Sequence, residues 1–136
     1  MIEHYIFWAA VAAINAVYDG MRWRRGDYIP QSGHFSRSTI RFVLFAFNAS
    51  WAIDFEPMRS IEIMPLLLGQ FFAFWLVFDL AINIIAGKRA FHLGHTSLFD
   101  RLFWVIAGWE YAPAIAMQYA CKIAGVLVSW LWWESI

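Results

Sequence analysis

The sequence predicts an all-α fold: an integral membrane four-helix bundle with a short interfacial helix before the last span. Three observations predict it. Of 136 residues, 62 % are hydrophobic and 15 % charged; the apolar residues gather in four long stretches; and the basic residues collect between alternate stretches. A soluble domain is nearer half apolar and a quarter charged. A chain this short also has too much surface for its volume to hide the excess from water. The chain reads as one transmembrane domain, 1–136.

A hydrocarbon core of ~30 Å needs about 20 helical residues. The apolar stretches 5–18, 40–53, 61–86 and 102–133 extend to spans at about 2–20, 38–55, 61–86 and 105–133. The runs are continuous rather than alternating, and backbone in lipid must pair internally, so helices are expected and strands are not. Met1-Ile2-Glu3-His4 lacks a basic region and no small-residue cleavage pattern follows, so the first helix is expected to stay. The connection 21–36 holds Arg22, Arg24 and Arg25 with Gly26-Asp27, Pro30 and Ser32-Gly33, a polar loop. The connection 56–60 is tight and contains Pro57. Ser60 suits the N-cap of the third helix, and Glu62 its first turn, where the helix dipole favours an anion. Gly87 is a helix stop followed by Lys88-Arg89. Ser97 and Asp100 resemble a capping box that starts the last helical region. From Leu98 to Trp133 a straight helix would run about 54 Å, too long to span. Gly108 and Pro113 offer bends, so a short interfacial helix over 98–104 is expected to lead into the spanning part.

Orientation follows from Lys and Arg in short loops. With both termini on the non-cytoplasmic side, Arg22, Arg24, Arg25, Arg37, Arg41, Lys88, Arg89 and Arg101 lie inside and Arg59 alone lies outside. Trp130, Trp132 and Trp133 then anchor the outer interface, and Phe99, Phe103 and Trp104 the inner one.

Ionisable groups within lipid are costly, so each is a candidate site. Depth at ~1.5 Å per residue places Asn15, Asp19, Asp79, Asn83 and Glu110 in an inner-leaflet polar layer. Asn48, Gln70, Gln118 and Lys122 fall nearer mid-bilayer. Carboxylates at matched depth could pass protons or bind a cation, with Lys122 as counter-charge. Alternatively each polar group bonds a neighbouring helix and fixes the packing; this second reading is preferred. Catalytic residues are not expected, because no nucleophile–base pair stands out.

His92 and His95, with Asp100, offer too few ligands for a zinc site, and no cysteine is near; no metal or other cofactor is expected. His4 and His34 lie at opposite ends of the first helix and its following loop, so no simple arrangement makes them a bis-histidine haem site within one leaflet. Arg22, Arg24 and Arg25, with Lys88 and Arg89, suit anionic lipid headgroups as well as the topology signal. The net charge is zero, and no nucleic acid partner is expected. Cys121, alone, excludes an intramolecular disulfide. Nine Trp and thirteen Phe exceed what interfacial belts need, and Trp8, Trp51 and Trp75 fall within spans. These aromatics suit filling the bundle core, facing the lipid bilayer, or contact with other membrane subunits or further copies of the chain.

Phe78-Asp79, Asn83, Gly87-Lys88, Phe91, Leu93-Gly94, Thr96-Ser97 and Asp100 together resemble a pattern in small uncharacterised multi-pass membrane proteins of Bacteroidetes bacteria and their phages. The resemblance covers residues 75–104. It implies a bacterial inner membrane or a virion membrane and no particular reaction. Three functions compete: a non-enzymatic component of a membrane complex or membrane-containing phage particle; a small proton or cation channel using Asp79, Glu110 and Lys122; and a lipid-modifying enzyme. The first is preferred, since no constellation exceeds structural need.

Overall fold

The computed structural model describes residues 2–26, 40, 41, 43, 44, 48, 60–94 and 98–136. Among these the chain is all-helical, with no strand. Its helices are α1 (Ile2–Arg24), α2 (Ser60–Ile85), α3 (Leu98–Ile106) and α4 (Tyr111–Glu134). Two segments, Ile63–Ile85 and Tyr111–Glu134, are long and apolar enough to cross a membrane. The expected span 38–55 lies largely outside the described residues, although Ile40, Arg41, Val43, Leu44 and Asn48 are helical. Most of the loop 21–36 and of the connection 56–60 also lie outside them.

Two boundaries differ from the sequence reading. Helix α1 continues a turn past Gly20, through the basic residues to Arg24. The last helical region breaks over 107–110, at Gly108, the first of the two expected bends, and not at Pro113, so α4 begins at Tyr111, not at 105. The physical reason is a glycine stop. At the end of α3, Gly108 has φ +62°, and the Trp109 amide donates to the Trp104 carbonyl at 2.8 Å. Helix α2 ends in the same way at Gly87, φ +74°, with the Lys88 amide on the Asn83 carbonyl at 2.8 Å. Both are Schellman stops. Pro113, by contrast, sits in the first turn of α4, where its missing N–H has no partner to lose.

Paired contacts give the register. Trp8 packs edge-on to Phe74 with centroids 6.5 Å apart, Tyr5 lies over Gly69, and Gly20 over Ile85; α1 and α2 are parallel. Leu66 meets Trp133, Phe72 lies over Gly125, and Asp79 meets Lys122; α2 and α4 are antiparallel. Between α1 and α2, Arg41 contacts Asp19 while Asn48 contacts His4 and Trp8, so Arg41 and Asn48 follow one another in the direction opposite to both helices. Helix α2 is therefore central. Gln70, Phe74 and Phe78 serve one side of it, and Phe72, Trp75 and Asp79 the other.

The polarity of the helices is inverted. On α4 the residues at helical spacing 114, 118, 122 and 129 are buried, and three of these are Gln118, Lys122 and Ser129. Ile123, Leu127, Val128 and Leu131 are exposed. Helix α1 buries Asp19 with small residues while exposing Ile6, Phe7, Ile14 and Val17. A water-soluble surface helix does the reverse.

Candidate functional site

The most charged part of the interior is the seam between α2 and α4. The Lys122 ammonium donates to the Asp79 carboxylate. The Lys122 side chain has no exposure, whereas that of Asp79 retains 24 %. The ammonium lies 4.6 Å from the Trp75 ring centroid and 4.5 Å from that of Tyr119, so aromatic faces share the charge with the carboxylate. One turn earlier on α4, Gln118 Nε2 donates to Asp100 Oδ1 at 2.9 Å. Its Oε1 is buried with no hydrogen-bond partner.

Asn83 completes this seam from the helix end. Its Nδ2 donates to the carbonyls of Ala90 at 3.1 Å and His92 at 2.9 Å, and the Tyr119 hydroxyl donates to the Ala90 carbonyl at 3.3 Å. Trp104 Nε1 donates to the Gly94 carbonyl at 2.9 Å. A Cβ at Gly94 would come within 2.9 Å of Asp100 Oδ2, so the absence of a side chain there admits the carboxylate.

The second seam joins α1, the 41–48 segment and α2. Asn48 Oδ1 lies 2.8 Å from Gln70 Nε2, 3.3 Å from Trp8 Nε1 and 3.1 Å from His4 Nδ1. Gln70 Oε1 is buried with no hydrogen-bond partner. Further along, Arg41 donates to Asn15 Oδ1 at 3.3 Å and lies 3.7 Å from Asp19 Oδ2. The guanidinium also covers the Phe74 and Phe78 rings at 5.0 and 4.9 Å.

The basic end is arranged differently. Lys88 Nζ lies 3.5 Å above the Trp23 ring, and burial lowers its pKa below the ordinary ammonium value. Arg22 lies 5.8 Å over the Tyr18 ring. Arg24, Arg25 and Arg89 are exposed.

Polar residues are thus sorted by helix pair. Asn15 and Asp19 sit in one seam, Asp79 and Asn83 in the other. Lys122, expected in a different layer from Asp79, meets it directly. Glu110 joins neither seam: it is exposed at the N-cap of α4 and makes no side-chain capping bond. The helix break at Gly108 removes it from the span in which it was expected. Sequence reading missed Arg41 and Asp100 as partners of these groups, since Arg41 was assigned to the inner face by charge and Asp100 to a capping box with Ser97. A signal existed for Asp100, which lies within reach of Gly94 across a short turn. His34 and His95 lie outside the described residues. Among the described residues no three His, Cys, Asp or Glu side chains gather to hold a metal ion.

An interhelical Lys–Asp pair can lock two helices together or exchange a proton when one partner is reached by water. Comparison with known protein families, with curated proteins and with solved structures finds no match to the chain.

Proposed function

We propose that the chain is a multi-pass integral membrane protein, non-enzymatic, acting as a structural or accessory subunit of a membrane assembly. The observation that carries this reading is the inverted polarity: Lys122, Gln118, Gln70 and Asp19 are buried while Ile14, Leu68, Ile123 and Leu131 face outward. In water this arrangement would expose the apolar side chains and gain nothing from burying the charges. In hydrocarbon it is the favourable one, because polar groups must find partners inside and apolar ones need none. Only 33 % and 28 % of the two spanning windows are buried, unlike the core helix of a soluble protein. The antiparallel order of Arg41 and Asn48 between two parallel helices supports a bundle of four spans with both termini on one face. The arginine distribution favours the non-cytoplasmic face for them.

The seams support a structural role for the polar groups, since each links elements that must stay together. The exposed aromatic and aliphatic surface then meets lipid and neighbouring subunits. The test is the size of the native species after mild detergent extraction. A fixed-stoichiometry complex larger than the single chain supports the subunit reading; a lone monomer from native membranes overturns it.

A second reading, a proton or cation pathway, is favoured by two details: the partial exposure of the Asp79 side chain and the unpartnered Gln118 Oε1. It would use Asp79, Lys122, Gln118 and Asp100, without Glu110. Ion flux into liposomes that disappears in Asp79→Asn would support it.

A further inference from the structure

At the basic end of the bundle the side chains of Lys88, His92 and Tyr111 form a chain of polar contacts. Lys88 Nζ lies 3.5 Å from His92 Nε2, and His92 Nδ1 lies 3.2 Å from the Tyr111 hydroxyl oxygen. The proton positions follow from the chemistry of the first member. An ammonium can only donate, so Nε2 presents its lone pair to Lys88, and the neutral ring then carries its hydrogen on Nδ1. Nδ1–H donates to Tyr111. If the ring were doubly protonated, Nδ1 would still donate. In either state the Tyr111 hydroxyl accepts from the histidine, and its own hydrogen is left to donate outward.

The cluster therefore presents donors to its surroundings: the Tyr111 O–H and the remaining ammonium hydrogens of Lys88. Tyr111 is also the first residue of α4, and in that turn, where Pro113 has no N–H and Ala114 bonds the Glu110 carbonyl, the N–H groups of Tyr111 and Ala112 have no acceptor within the helix. Glu110 supplies no side-chain cap to them. These donors lie where the helix dipole favours negative charge. Trp23, stacked under Lys88, holds the ammonium in place, and exposed Arg89 adds positive charge beside it. Tyr111 is itself accessible, with 38 % of its surface exposed. A group rich in acceptor oxygens and carrying negative charge would satisfy every one of these donors.

We propose that Lys88, His92 and Tyr111, with the N-terminus of α4, form a binding site for a phosphate group. On the membrane reading above, on which this lipid assignment rests, the source is the phosphodiester of an anionic lipid headgroup at the basic face. A soluble phosphate is the other source of the same chemistry. The site does more than the diffuse attraction of an arginine-rich loop, because a neutral hydroxyl, Tyr111, contributes to it.

The test uses the full chain in nanodiscs of phosphatidylcholine with and without phosphatidylglycerol, with native mass spectrometry to count retained lipid. Inorganic phosphate is titrated in lipid-free detergent as a separate arm, followed by phosphorus NMR. Retention of phosphatidylglycerol that weakens about tenfold in Tyr111→Phe, the size of one hydrogen bond to a charged group, supports a headgroup site. Lys88→Gln should weaken it further, and Glu110→Gln, which removes a neighbouring acid, should tighten it. Tyr111→Phe deletes one oxygen at an exposed position, so it stays informative if Lys88→Gln does not fold. Tyr111-dependent binding of inorganic phosphate alone supports the site with a soluble source. Equal retention in wild type and Tyr111→Phe, or no binding in either arm, overturns the proposal. Failure of the chain to enter nanodiscs at all would strike the membrane reading instead, leaving the inorganic phosphate arm to decide the site.

Discussion

Lys122 reaches Asp79 across about one helical turn of depth. The Phe72–Gly125 contact puts Trp75, not Asp79, level with Lys122 on antiparallel helices. Side chains lean toward the N-terminus of their own helix, so on antiparallel helices they lean in opposite directions along the bundle. Lys122 leans toward the basic end and Asp79 away from it, which closes the gap. The long lysine stem supplies the rest of the reach and runs past the Trp75 and Tyr119 rings.

Breaking this pair from one side should be far worse than removing it altogether. Asp79→Asn leaves a fully buried ammonium with weaker partners, and the loss should be about 3–5 kcal/mol. The double substitution Asp79→Leu with Lys122→Met removes both charges and should recover most of that loss. Denaturation of the purified chain in detergent, comparing each single variant with the double, checks this. Single variants as stable as wild type would show that the pair does not hold the helices.

The same geometry explains what was legible in the sequence. The helical class follows from apolar runs whose length matches a bilayer, and the stop at Gly87 follows from a glycine before two basic residues. Depth along each helix could be counted, and it placed Asp79 and Lys122 in different layers. Counting from Cα positions ignores the lean and reach of side chains, which in this case amount to a full turn. Which helix pair a polar residue joins depends on its angular position and on the neighbours, and a single sequence does not supply those. For the same reason Arg41 reads as a topology signal in the sequence, yet in the structure it bridges Asn15 and Asp19 over two phenylalanine rings. Glu110 lies at the exposed N-cap of α4 because the break falls at Gly108, one of the two bends that the sequence offers, whose left-handed conformation ends α3.

Asn48 should behave as a keystone for the first seam. Its Oδ1 gathers Gln70, Trp8 and His4, so Asn48→Leu leaves the amide of Gln70 and the indole N–H of Trp8 without this acceptor. Each buried donor left unsatisfied costs about 1–3 kcal/mol, and a loss of at least one such step is expected in the same denaturation measurement. Asn48→Asp preserves the acceptor and should lose less. A chain indifferent to Asn48→Leu would show that α1 and α2 are held by their apolar contacts alone.

Close approach of α2 and α4 depends on Gly125. A Cβ at this position would fall within the ring of Phe72, and the ring is bonded into a helix that also carries Trp75 and Asp79. Small residues permit such contact between helices in lipid. Gly125→Leu should therefore push the helices apart and destabilise the bundle by about 1–3 kcal/mol, the range for overpacking. Pairing it with Phe72→Ala, which vacates the space, should return part of the loss. Additive effects in the double variant, with no rescue, would mean that the two residues are not in contact.

Cys121 separates lipid from water as the medium around α4. It is exposed on the surface of the chain, adjacent to the buried Lys122 and near the middle of the segment Tyr111–Glu134. A sulfonated maleimide carries a charge that hydrocarbon strongly disfavours, so it does not reach a thiol surrounded by lipid. A sulfonated, water-soluble maleimide should leave Cys121 unmodified in intact membranes and label it once the chain is unfolded in strong detergent. A soluble protein with the same side chain exposed would label at once in its native state. Rapid native labelling would place water beside Cys121, and the inverted polarity of α4 would then need a partner surface, not lipid, to cover Ile123, Leu127 and Leu131.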